Sequence, residues 1–267
     1  MTELTVPSWG AVAASLLLVA LIALIARQQR LHLTKELVIA AGRAGLQLAA
    51  VGAVLVLLFQ HAGLPGALGW VAFMVVLGGQ VAGYRGRALP QARTTATIAI
   101  ATGTAITLGS LVALGAISPQ PRVLVPIGGM IVATAMQATA VSLHRVRQQA
   151  QSDRPAIEAR LALGLSSREA FLPFQRSALR TALLPTLDST KVVGLISLPG
   201  AMTGLILAGV DPMIAIRYQI IVMYMLLAAT TIAALTATRL AERALFDNAH
   251  RLAPLDTSSA RSRRPVI

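Results

Sequence analysis

Residues 192–210, VVGLISLPGAMTGLILAGV, run for nineteen positions without a charge, bracketed by Lys191 and Asp211. A bilayer core of ~30 Å takes ~20 apolar residues in helix, so a run of this length reads as a membrane span. Ser197, Pro199 and Gly200 interrupt its centre. Proline removes a backbone donor and clashes with the preceding turn, and in hydrocarbon the freed carbonyls must be met by neighbouring protein or water. The stretch is therefore expected as a kinked helix packed inside a bundle. Gly200 and Gly204 form a GxxxG that strips one stripe of side chains and predicts close helix packing.

The rest of the chain repeats the theme. Uncharged or nearly uncharged runs occupy residues 6–26, 37–59, 67–83, 94–117, 123–143 and 218–238. Only 12% of the 267 residues are charged and 55% are hydrophobic, whereas soluble domains carry about a quarter charged. The expected fold class is an all-α integral membrane protein of about seven transmembrane helices. Its membrane domain covers 1–254, and a disordered basic cytosolic tail occupies 255–267. There is no cysteine, which removes disulfides and thiolate metal sites.

Charge orients the spans. The net charge of +13 comes from 23 basic and 10 acidic residues, and in a membrane protein such an excess marks cytosolic loops rather than nucleic-acid binding. With the N terminus outside and the C terminus in the cytosol, only Arg122 and Arg217 fall on the outer side. Arg43 and Lys191 then lie at the inner boundary. The preference for arginine over lysine and the abundance of alanine fit a GC-rich bacterial genome, hence a multi-pass protein of the bacterial inner membrane.

One cytosolic loop is sizeable, residues 144–180. Ser152 or Asp153 can cap a helix with Pro155 in its first turn. Ile157, Leu161, Leu165, Phe171 and Phe174 supply an apolar face, broken at Gly164. Ser166 and Ser167 can cap a second helix with Glu169 and Ala170 in its first turn. Two short amphipathic helices joined at Gly164 make a knuckle below the membrane, and a docked cytosolic partner would give it a purpose.

Glu158, Ala159 and Arg160, with Gly164 after three further residues, resemble the EAA-x-x-x-G loop by which ABC-transporter permeases insert a coupling helix into their ATPase subunit. The match departs at Arg160, where alanine is usual. A wider resemblance covers nearly the whole chain. GRAGLQL (42–48), PIGGMIVATAMQA (126–138), LALGLSSREA (161–170), residues 183–212 and AIRYQIIVMYML (215–226) are similar to the FetB family of iron-export permeases, whose plant relatives are linked to aluminium tolerance. The resemblance implies a permease that exports a metal ion such as iron, acts as a homodimer in membrane lipid and is driven by a separate cytosolic ABC ATP-binding subunit. Coupling would run through Glu158, Ala159, Gly164, Ser166 and Glu169. ATP and Mg would sit on the partner, because the chain has no G-x-x-x-x-G-K-[ST] loop and binds no cofactor of its own.

The pathway candidates are polar groups at membrane depth, where an ionisable side chain costs ~2.5–3.5 kcal/mol and needs a partner or a cavity. Asp188 and Lys191, at i,i+3, either pair with each other or mark the pathway entrance. Arg43 with Gln47 either faces the bundle interior or snorkels to the inner surface. Gln137 and Gln219 serve interhelical amide bonds or cargo equally well, and Pro199 marks the helix break. No metal site can be built, since His32, His61, His144 and His250 fall in loops or at span ends. Methionines such as Met136 and Met223 read as packing filler before soft-metal ligands. Apart from the resemblance, a secondary transporter or channel with an ion-coupled site at the broken helix remains open. An enzyme has no paired carboxylates or catalytic triad to stand on.

Overall fold

Proline and glycine placement decides where the helices stop. The computed structural model describes residues 8–29, 34–61, 63–87, 89–196, 198–247 and 249–253. They contain nine helices: α1 (Trp9–Gln28), α2 (Thr34–His61), α3 (Gly63–Arg85), α4 (Ala92–Ala113), α5 (Pro121–Ser152), α6 (Arg154–Ala162), α7 (Ser167–Val192), α8 (Gly200–Leu207) and α9 (Pro212–Leu245). No strand occurs among these residues, so the all-α class holds. Ser197, His32 and the tail 255–267 lie outside the described residues.

The chain divides into two units, Met1–Gly63 and Leu64–Ile267. In the first, α1 and α2 pack on one another. Ala23, Ala26 and Leu58 are buried, while Leu17, Leu46 and Leu48 are exposed. Helices that are apolar all round belong in lipid or against another chain, not in water.

In the second unit α4, α5 and α9 form the centre, and α7 packs on α5 and α9. The central contacts are made by small residues. Ala229, Ala233, Ala237 and Ala241 recur every four residues along α9 and are all buried, which puts them in one stripe. A Cβ on Gly103 of α4 would lie 3.0 Å from the Ala229 carbonyl oxygen. Helices in lipid gain little from the hydrophobic effect between themselves and associate by close packing, which small residues permit. Helix α3 joins in the same way, with Gly79 and Gly83 against Thr97 and Arg93 of α4 and Val71 against Gly128 of α5.

Among the described residues six helices, α1 to α5 and α9, are long and apolar enough to cross a membrane. The span expected over 192–210 is not a single kinked helix. Helix α7 ends at Val192, an irregular link succeeds it, and α8 begins only at Gly200 with Pro199 as its N-cap. Proline fixes the reason: with no N–H and a fixed φ it starts a helix more easily than it sits inside one. Gly194, at φ +79°, turns the link. Helix α8 closes after eight residues in a Schellman motif, with Gly209 at φ +85°, its N–H donating to the Ile206 carbonyl and the Val210 N–H donating to that of Leu205. The expected sixth passage is thus made in three pieces, and neither α7 nor α8 is among the helices long and apolar enough to cross. Helix α7 runs antiparallel to α9, its start beside Arg239 and Glu242 and its end beside Gln219 and Met223, before α8 packs back on α9.

Two further expectations change. The second helix of the 144–180 loop is not short, because α7 continues for 26 residues through residues 181–191, carrying Pro173 and Pro185 inside it. The fifth span also outruns its apolar stretch: α5 continues past Leu143, so that His144 is helical. Nothing in the sequence breaks the helix before Asp153.

Candidate functional site

Two places in the second unit bring candidate residues together. The first is the turn between α6 and α7. Asp153 stands at the N-cap of α6 without a side-chain cap bond, and Pro155 occupies the first turn as expected. Helix α6 ends in a second Schellman motif. Gly164 takes φ +85°, its N–H donates to the Leu161 carbonyl, and the Leu165 N–H donates to that of Arg160. Helix α7 then opens with a capping box: the Glu169 N–H donates to Ser166 Oγ at 3.3 Å, and the Ser166 N–H donates to Glu169 Oε2 at 3.1 Å. The Ser166 hydroxyl also donates to that carboxylate at 2.7 Å, and these bonds hold the Glu169 carboxyl below the usual glutamate range, the side-chain bond contributing most.

Arg160, the departure from the usual loop, fastens the turn. Its Nε donates to the Ala170 carbonyl at 3.0 Å and a terminal nitrogen to that of Glu169 at 3.1 Å. An alanine there could make neither bond. Glu158 is not free either, for Arg154 Nε donates to it at 2.7 Å. Beneath the turn lies an apolar seat of Ile157, Phe171 and Leu245, all fully buried, with Phe246 edge-on to Phe171 at 6.0 Å between centroids.

Residues 246, 247 and 249–253, beyond the end of α9, carry no clear fold signal in the sequence, yet they fold back instead of trailing away. Phe246 pairs with Leu252, the Ala253 N–H donates to the Leu245 carbonyl, and His250 lies 3.0 Å from Ser167 Oγ. A guanidinium nitrogen of Arg154 reaches the Leu252 carbonyl at 3.4 Å. This hook and the α6–α7 turn enclose an open cavity of 830 Å³ lined by Glu158, Gly164, Ser166, Glu169, His250 and Arg251. The hint in the sequence is Phe246 and Leu252, large apolar residues on either side of a polar stretch.

The second place is the broken sixth passage. A cavity of 260 Å³ is lined by Thr186, Ser189 and Thr190 of α7, by Pro199, and by Gln219 and Met223 of α9. Gln219 is 7% exposed and its side-chain oxygen has no hydrogen-bond partner. An amide oxygen buried with no partner costs ~1–3 kcal/mol, and the adjoining cavity gives a water or a cargo ion's hydration shell room to supply one. A neighbouring cavity of 260 Å³ is lined by Arg85, Gln137, Pro185 and, again, Thr186. Pro185 has no N–H to offer the carbonyl of Thr181, one turn earlier in α7. The geometry therefore brings together Gln137, Pro199 and Gln219 around Thr186. The hydroxyls at i, i+3 and i+4, Thr186, Ser189 and Thr190, are a readable signal, since that spacing gives one helix face.

Other candidates fall elsewhere. Lys191 and Asp188 pair at 3.2 Å, both well exposed, a contact that contributes little to stability. Arg43 and Gln47 are exposed on α2 in the first unit. Gly200 and Gly204 are exposed, and a Cβ on either would meet nothing within 4 Å, so the close packing expected there is absent within the chain. Among the described residues no three His, Asp or Glu side chains converge as a metal site would require.

Comparison with known proteins places these features in context. Residues 9–246 match the family described as Uncharacterised protein family (UPF0014). The chain is 41% identical over 224 residues to the rice UPF0014 membrane protein STAR2, covering 84% of this chain and 79% of that protein. It is 39% identical over 244 residues to Protein ALUMINUM SENSITIVE 3 of Arabidopsis thaliana, covering 90% and 88%. It is 37% identical over 240 residues to the Probable iron export permease protein FetB of Escherichia coli, covering 90% and 93%. No solved structure matches.

Proposed function

The chain belongs to the UPF0014 family of membrane proteins, and from that premise we propose that it is the permease subunit of an ATP-driven exporter of metal ions such as iron. The observation that carries the reading is the α6–α7 turn, closed by Gly164 and the Ser166–Glu169 box and strapped by Arg160. A turn secured this firmly can transmit force. A separate cytosolic ATP-binding subunit, holding ATP and Mg, would grip it and rock α7 against α9. The energy would then enter mechanically, with no covalent chemistry in this chain.

The cargo would pass the cavities around Thr186. Their neutral oxygens from threonine, serine and glutamine suit a hard cation stripped of part of its hydration, with Arg85 the cationic group in the lining of one cavity. Two copies of the chain would complete the pathway. The bare face of α8 at Gly200 and Gly204 allows a second copy to approach closely.

A second reading is favoured by one observation, the discontinuous passage with the unpaired amide of Gln219. Broken helices at membrane depth also build the midplane sites of secondary transporters. Co-expression with ATP-binding subunits encoded nearby separates the two. A stable complex whose ATP hydrolysis in liposomes rises with Fe²⁺ is the expected result. Transport that tracks a proton or ion gradient without ATP, and no co-purifying subunit, would replace the first reading with the second.

A further inference from the structure

Four arginines surround a cavity at the end of the membrane-spanning part of α9. Arg168 and Arg176 of α7 form one wall and Arg239 and Arg243 of α9 the other, around 430 Å³. Glu242 and Gln175 lie on the floor, 9% and 8% exposed. Four guanidinium groups thus share one cavity with a single carboxylate. The ion pairs among the described residues are Arg154–Glu158, Lys191–Asp188 and Arg251–Asp247, and none of the four takes part. All four arginines are exposed, so water screens their repulsion, and an anion seated among them would meet several unpaired guanidinium groups at once. Guanidinium forks match phosphate oxygens in pairs, which lysine would not do as well.

The level of the cavity says where that phosphate comes from. Residues 218–238 of α9 carry no charge, and 21 residues of helix span about 31 Å, the thickness of the hydrocarbon core. Arg239 is the first residue beyond it. The arginines therefore stand at the depth of the lipid headgroups, between two helices, as basic pockets that hold anionic headgroups do.

We propose that this cavity binds the phosphate of an anionic phospholipid, seating its headgroup between α7 and α9. The site is independent of the transport reading, for it needs only that α9 spans the membrane. It would couple the lipid to the same pair of helices whose relative motion transport requires.

Native mass spectrometry of the purified full chain tests the site, with dioleoylphosphatidylglycerol and dioleoylphosphatidylcholine as probes and inorganic phosphate as competitor. Both lipids carry the phosphate, but phosphatidylcholine also sets a quaternary ammonium against four arginines, so the expected result is retention of phosphatidylglycerol over phosphatidylcholine by roughly tenfold or more. The double variant Arg239→Gln/Arg243→Gln should lose that preference, and so should Arg168→Gln/Arg176→Gln on the opposite wall. Arg145→Gln/Arg147→Gln removes the same charge from α5 outside the cavity and should keep it. Equal loss in all three variants would reduce the effect to general surface charge and overturn the site. No preference between the two lipids would also overturn it. If phosphate protects the chain while phosphatidylglycerol is not retained, the anion comes from solution and the lipid assignment falls.

Discussion

Gly79 of α3 faces Thr97 of α4 so closely that a Cβ on the glycine would lie 2.8 Å from the threonine Cα. One turn along, a Cβ on Gly83 would lie 2.6 Å from the Cα of Arg93. The chain's close-contact GxxxG is therefore Gly79–Gly83, and the Gly200–Gly204 pair has open space beside it. Gly79→Ala should push two backbones apart and destabilise the fold by ~1–3 kcal/mol. Gly204→Ala should be neutral or slightly stabilising in the isolated chain, since alanine is the better helix former by ~1 kcal/mol. Thermal unfolding in detergent reads both. Equal tolerance of alanine at the two positions would contradict this account of the α3–α4 contact.

Gln219 buries an amide oxygen that meets no protein donor and borders a cavity, so packing alone does not account for it. Replacing such a group by an apolar one of similar size can be neutral or stabilising. Gln219→Leu is expected to leave the melting temperature unchanged or raised while transport in liposomes falls. A lower melting temperature with unaltered transport would assign the glutamine to packing alone.

At Gly164 the cost of a side chain is conformational, because an added Cβ meets nothing within 4 Å while φ is +85°. Gly164→Ala should destabilise by ~1–2 kcal/mol through the left-handed backbone. Gly164→Asn should be milder, since asparagine tolerates that region. Membrane insertion should survive both, and coupling to ATP hydrolysis should weaken more with alanine than with asparagine. The reverse order would point to side-chain volume instead of backbone geometry.

The Ser166–Glu169 box makes the turn sensitive to acid. Hydrogen bonds from Ser166 depress the Glu169 carboxyl below its ordinary value of 4.5. A depressed carboxyl favours the folded turn fully above that ordinary value, and its contribution is lost as pH falls through the lowered one. Hydrogen exchange of the Glu169 and Ala170 amides should therefore speed up in acid beyond the intrinsic pH effect. Glu169→Gln should remove the pH dependence. Persistence of the same acid response in that variant would place its origin elsewhere.

How much of this is legible in the sequence is clearest in the sixth passage. Residues 192–210 announce a membrane crossing by length and a break by Pro199; the break is present, while no helix there is long enough to cross. What the local pattern does not carry is that the proline begins a helix. The same run fits a kinked helix or two pieces, and the choice depends on whether α9 can meet the freed polar groups. Likewise two GxxxG pairs stand in the sequence, and only packing tells them apart. Gly79 and Gly83 are pressed against α4, while Gly200 and Gly204 face outward.

The sequence alone determined the membrane class, the cap at Ser166, the turn at Gly164 and the burial of Phe171, because those arise from uncharged length, local hydrogen bonding, backbone sterics and helical periodicity. Only the tertiary structure decided that His250 and Leu252 reach α7 and α6, that Arg160 straps the turn, and that Thr186 stands between Gln137 and Gln219. Each of these joins residues far apart in the chain or turns a side chain toward a neighbour. Local propensity is blind to such contacts, since their free energy arises only when the helices are already packed.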